Sequence, residues 1–157
     1  MGKKTRKMIS KTIKGVGNLS YVEVRNVPMV VDPEMGHLLD SKTIEQVEKL
    51  AAKALITRNI PVRGREVQFF RSVFALSQRE FASKLGLSHV AIFKWEKTKN
   101  RRLDLVNEIA VKTFIAGLMG LEIVASLDTL VGHGEIPKRL VIEYSQRSPK
   151  AIRQVAA

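Results

Sequence analysis

The chain has 157 residues, 45% of them hydrophobic, which suits one domain, or a compact domain with a small appendage, around a real core. Lys and Arg total 27 against 15 acids, a formal charge of +12 and a pI near 10.2, so polyanionic partners are favoured, nucleic acid before anionic membrane. Cysteine is absent, which excludes disulfides and thiolate metal sites, and the longest apolar stretch, 114–131, carries Glu122 and Asp128 and is poor for a membrane span.

Met1–Lys7 is basic, but no apolar run of signal-peptide length follows it, so the expected location is the cytoplasm, at the nucleoid, with no membrane partner. Residues 1–18 hold Lys3, Lys4, Arg6, Lys7, Lys11 and Lys14 and no acid. They read as a flexible basic arm of the kind that grips DNA phosphates. Residues 19–31 are β-branched and partly alternating, which predicts one or two short strands with Pro28 on an edge or at a bend. Asp32-Pro33-Glu34-Met35-Gly36 is turn chemistry. A helix should follow from Ser41 to Ala54, capped by Asp40 or Ser41, because Ile44, Val47, Ala51 and Ala54 or Leu55 recur at helical spacing. Arg58-Asn59-Ile60-Pro61 breaks that pattern and separates a small strand-plus-helix region, 19–60, from a helical domain, 61–120.

Within the helical domain a first helix over Arg63–Ala75 offers Val67, Phe70 and Phe74 to a core. The sequence then carries two successive helix starts. Ser77 and Glu80 form a capping box, with Leu76 and Phe81 as its hydrophobic staple. Phe81, Ala82 and Leu85 are the buried stripe of that short helix, and Gly86 allows the left-handed conformation that ends it. Ser88 caps the next helix, 88–98, with Leu87 and Ile92 as a second staple and Ile92 and Trp95 as its inner face. Two short capped helices joined by a Gly-centred turn match a helix-turn-helix. Phe93 has no place on the buried stripe, and the basic run Lys97-Thr98-Lys99-Asn100-Arg101-Arg102 follows, an electrostatic footprint for groove insertion.

Leu-Ser-Gln-Arg-Glu-Phe-Ala, Leu-Gly-Leu-Ser and Ile-Phe-Lys-Trp-Glu together closely resemble the Cro/repressor (XRE-type) helix-turn-helix family, from Arg63 to about Phe114. The resemblance implies a mainly α fold: a five-helix, lambda-repressor-like domain, with the small N-terminal strand-and-helix region and a C-terminal extension attached. It implies that Ser88, His89, Val90, Phe93 and Lys94 lie where the family reads base edges. It also implies that Ser77, Gln78 and Arg79 clamp phosphate, joined by Lys97, Lys99, Arg101 and Arg102. The implied protein is a transcriptional regulator, in the main a repressor, that binds double-stranded DNA as a homodimer. Thr98 stands where the family often has Gly.

Residues 20–55 resemble, more weakly, the distal part of an MqsA-type (YgiT-like) antitoxin. That resemblance makes a toxin a candidate partner and an autoregulating antitoxin the alternative function. The family's zinc-ligand cysteines are replaced here by residues 32–35, Asp-Pro-Glu-Met, so no metal is expected.

The extension, 121–157, contains Leu140, Ile142 and Tyr144 in alternation, compatible with a strand or a short helix. Leu103, Val106, Ala110, Phe114 and Leu118, then Val124, Leu127 and Leu130, could continue the core or form a dimer face. His37, His89 and His133 stand alone, without ligand spacing, and no nucleophile or phosphate-loop motif occurs, so neither catalysis nor a cofactor is expected.

Overall fold

Gly17 and Asn18 reverse the chain between two antiparallel strands, β1 (Lys7–Val16) and β2 (Leu19–Asp32), Gly17 at φ +56°, a left-handed value that glycine adopts without strain. This is a computed structural model, and it describes residues 5–122, 131–132 and 134–146. A second turn, in which the Asp32 carboxylate accepts from the Glu34 and Met35 amides, leads into β3 (Gly36–Leu38), antiparallel to the far end of β2. Five helices follow: α1 (Ser41–Thr57), α2 (Gly64–Val73), α3 (Gln78–Leu85), α4 (His89–Lys97) and α5 (Leu105–Met119). The chain then returns to the sheet as β4 (Leu140–Glu143), parallel to β2 with Val22 opposite Leu140 and Val24 opposite Ile142.

The fold is therefore mixed, five helices with a four-stranded sheet, and the mainly α expectation is corrected. Two segments make the difference. Most of the presumed flexible arm, 1–18, is β1, an edge strand that pairs along nearly the whole of β2. Its lysines lie on the solvated surface of that edge, where they discourage pairing with another chain. The open choice at 139–144 resolves as strand β4, whose Leu140 and Ile142 are buried. Within 61–120 there are four helices rather than five; the fifth, α1, precedes that range.

Helix α1 starts at the expected cap, Asp40 accepting from the Thr43 amide at 2.7 Å, which holds its carboxyl below the usual range. It runs one turn beyond Ala54, to Thr57. It is buried over much of its circumference because it lies between the sheet and helices α2 and α5. A single hydrophobic cluster thus runs from Val16, Leu19, Val22 and Val24 through Val47, Leu50 and Leu55 to Val67, Phe70, Phe81, Ile92 and Ile115.

Two buried carboxylates pin the helices to the rest. Glu66 of α2 accepts from the Tyr21 hydroxyl of β2 at 2.9 Å and from the Arg63 guanidinium and amide. Burial, reinforced by the Glu66 carboxylate, pushes the Tyr21 phenol above its ordinary range. Glu108 of α5, fully buried, accepts from the Val62 amide at 2.7 Å, the Gly132 amide at 2.9 Å and the Arg102 guanidinium at 3.0 and 3.2 Å. One turn along, Lys112 is also fully buried, and among the described residues its Nζ has no hydrogen-bond partner. Desolvation lowers its pKa to about 8, against the opposing pull of the Glu108 charge.

Candidate nucleic-acid interface

Helices α3 and α4 are two short helices packed against each other across the turn at 86–88, built by the local signals in their sequence. The Ser77 hydroxyl accepts from the Glu80 amide at 3.1 Å, and the Glu80 carboxylate accepts from the Ser77 amide at 3.0 Å. Gly86 closes α3 at φ +68°, a left-handed cap. The Ser88 hydroxyl then accepts from the Ala91 amide to open α4. Phe81, Ala82 and Ile92 are buried between the two helices, α2 and α5. The Phe81 ring meets Phe114 edge-on at 5.7 Å.

The inner side of α4 is held by charge as well as by packing. Glu96 accepts from Arg71 of α2 at 2.7 Å and from Gln78 of α3 at 3.2 Å, so one carboxylate joins the helix to both neighbours. Gly64, at the start of α2, passes so close to the Trp95 carbonyl that no side chain fits between them. At the C-terminal end the Thr98 hydroxyl donates to the Lys94 carbonyl at 2.9 Å. A hydroxyl thus closes the helix where the resembled family often has glycine.

The segment after α4 is fixed in place. Backbone bonds run from Gly64 N to Arg101 O, from Arg65 N to Lys99 O and from Leu103 N to Val62 O. The Arg65 guanidinium adds bonds to Asn100 Oδ1 at 3.1 and 3.3 Å. The basic run is therefore a rigid rim, an arrangement that composition alone does not reveal.

Against this frame the base-reading candidates share one free side. Ser88, His89, Val90, Phe93 and Lys94 are all exposed, and Val90 and Phe93 keep 45% and 51% of their surface accessible, unusual for apolar side chains on a helix with a buried neighbour such as Ile92. An open groove of about 580 Å³ runs from this side to the first turn of α5, lined by Ser88, Val90, Lys94, Lys97, Arg101 and Asn107 among others.

The phosphate candidates divide. Arg79, Lys97, Lys99 and Arg101 are exposed. Ser77 is exposed with its hydroxyl engaged as a cap. Gln78 is half-buried and donates its side-chain amide to Glu96, which makes it a brace of α4. Arg102 is half-buried, and its guanidinium donates to Glu108 and, at 2.6 Å, to the Gly132 carbonyl, bonds it would have to give up to reach a phosphate. Glu108, six residues further on, was the sequence signal for that inward turn. Arg65, absent from the sequence-derived set, lies beside the rim, half-buried with its guanidinium bonded to Asn100.

Of the other residues singled out, Leu103 is core and Phe114 half-buried, whereas Val106 and Leu118 face outward. His133, Val124, Leu127 and Leu130 lie outside the described residues. Among the described residues no helix is long and apolar enough to cross a membrane, and no group of His, Asp and Glu could hold a metal ion. No protein-family model, curated protein or solved structure matches the chain.

Proposed function

We propose that the protein is a sequence-specific double-stranded DNA-binding transcriptional regulator, a repressor acting as a homodimer at the nucleoid, with α4 entering the major groove. The observation that carries this reading is the division of α4 into two sides. Ile92, Trp95 and Glu96 are tied to the body, and His89, Val90, Phe93 and Lys94 stand free beside a fixed cationic rim. A helix that is to read bases must be rigidly mounted and chemically bare on its outer side. Lys94 can donate to guanine O6 or N7, Val90 can meet a thymine methyl, and His89 can donate or accept. Lys97, Lys99 and Arg101 would neutralise phosphates without reading sequence.

The test compares single substitutions on duplexes selected from a random pool. Lys94→Ala should relax the preference at one base pair, a loss of about 1–3 kcal/mol of discrimination there. Arg101→Ala should weaken all sequences alike and reduce the salt slope by about one. Indistinguishable behaviour of the two variants would contradict the assigned roles.

A further inference from the structure

Among the described residues Phe93 is the one aromatic side chain that stands exposed. The others lie in the core or pack against it. Val90, one turn earlier, is exposed as well, and the two share the outer stripe of α4 with Lys94 and Lys97. No acid joins them, because the single acid of α4, Glu96, is turned inward to Arg71 and Gln78. The cations on this stripe suit a polyanion, and the apolar pair between them needs an apolar feature on that same polyanion.

The major groove offers hydrogen-bond donors and acceptors and one apolar feature, the 5-methyl group of thymine. A ring laid against anything else there would strip water from polar base edges and return no hydrogen bond. We propose that Phe93 and Val90 together read the 5-methyl groups of two neighbouring pyrimidines, so that α4 accepts 5-methylcytosine where it accepts thymine and discriminates against uracil. The inference rests on the DNA reading of α4 and names the chemical feature that this reading selects. Spacing supports it: three positions along a helix advance about 4.5 Å, near the roughly 3.4 Å between successive bases of one strand. Charge supports the same occupant, since Lys94, Lys97, Lys99 and Arg101 around the pair draw a phosphate backbone and oppose an uncharged apolar partner. A cytosine methylated at C5 presents the same methyl at the same ring position as thymine. Cytosine methylation within the half-site therefore raises affinity, and the reading side of α4 is sensitive to it.

Base analogues in the duplex selected from a random pool test it, with the full chain at fixed salt. Thymine→uracil removes the methyl and leaves every hydrogen-bonding group in place. At two neighbouring positions each such change should weaken binding about fourfold, and both together about 15-fold, the worth of one and of two buried methyl groups. At the same positions 5-methylcytosine should bind about fourfold tighter than cytosine. Phe93→Ala should erase the methyl effect at one position and Val90→Ala at the other, with the melting temperature unchanged because both side chains are exposed. A selected half-site without two neighbouring thymines, indifference to uracil at every position, or a methyl effect that survives both substitutions overturns the proposal. The last two results leave the preference for the selected duplex intact and so fail this inference alone. A pool that yields no preferred duplex fails the DNA reading as well.

Discussion

Gly64→Ala is expected to lower the melting temperature by roughly 6–12 °C and, on the proposed reading, to weaken DNA binding in whatever fraction remains folded. A Cβ at this position would fall inside the van der Waals envelope of the Trp95 carbonyl oxygen, 2.5 Å from the Trp95 carbonyl carbon and 3.2 Å from the Glu96 nitrogen. Each of these is a backbone atom of α4, so the clash cannot be relieved by a rotamer change. The helix would have to move. Overpacking against backbone sits at the upper end of the usual cost, about 3 kcal/mol, and in a chain of this size each kcal/mol shifts the melting temperature by about 2–4 °C. Movement of α4 would also strain the Arg71–Glu96–Gln78 bonds that set its orientation. Gly117→Ala is the matched control: its Cβ would meet nothing within 4 Å, and it should be neutral or slightly stabilising. Thermal unfolding of the two variants, followed by circular dichroism, makes the comparison; equal stability would contradict the close helix crossing.

The second large effect concerns the polar knot beneath α5. Glu108→Ala should destabilise by about 3–5 kcal/mol, because it strands the buried Val62 and Gly132 amides and leaves Arg102 and Lys112 without their countercharge. Lys112→Met should act in the opposite direction, gaining about 1–3 kcal/mol, since it replaces an unpartnered buried amine with apolar volume while Arg102 still pairs with Glu108. The pH dependence follows from the lowered pKa. Below about pH 8 the amine is charged in both folded and unfolded chains, and the burial penalty is felt in full. Between about 8 and its ordinary 10.5, the folded chain has released the proton and the unfolded chain still holds it, so this group makes stability rise with pH. Denaturant titrations across that window should show the rise in the wild type and not in Lys112→Met. A Lys112→Met variant less stable than the wild type at neutral pH would mean that the amine has a compensating partner.

What could be read in the sequence was what residues close along the chain decide among themselves. Ser77 with Glu80, Ser88, Gly86 and Asp40 act over three or four positions, and each cap appears where the sequence places it. The outward side of α4 followed from the same local reading, with Ile92 turned in and Phe93 turned out. The sheet was less legible, because its pairings are distant. β1 is an edge strand rich in lysine, so its composition looks like that of a tail; the signal was its alternation with Ile9 and Ile13 and the Gly-Asn turn that follows. β4 owes its conformation to β2, more than a hundred residues away, and alternation over so short a span cannot separate strand from helix. Arg102 shows the limit of a charge run: Lys99, Arg101 and Arg102 look alike in sequence, and only the buried Glu108 decides which one turns inward.

The central claim is that the side of α4 carrying His89 and Lys94 reads base pairs. Competition at physiological salt, with a duplex selected from a random pool set against unrelated duplex of equal length, tests it most directly. The account predicts that the selected sequence is preferred by at least about a thousandfold, and that the preference collapses when His89 and Lys94 are both replaced by alanine. Equal competition by the unrelated duplex, with binding that follows salt alone, would contradict it and reduce the interface to a nonspecific basic surface.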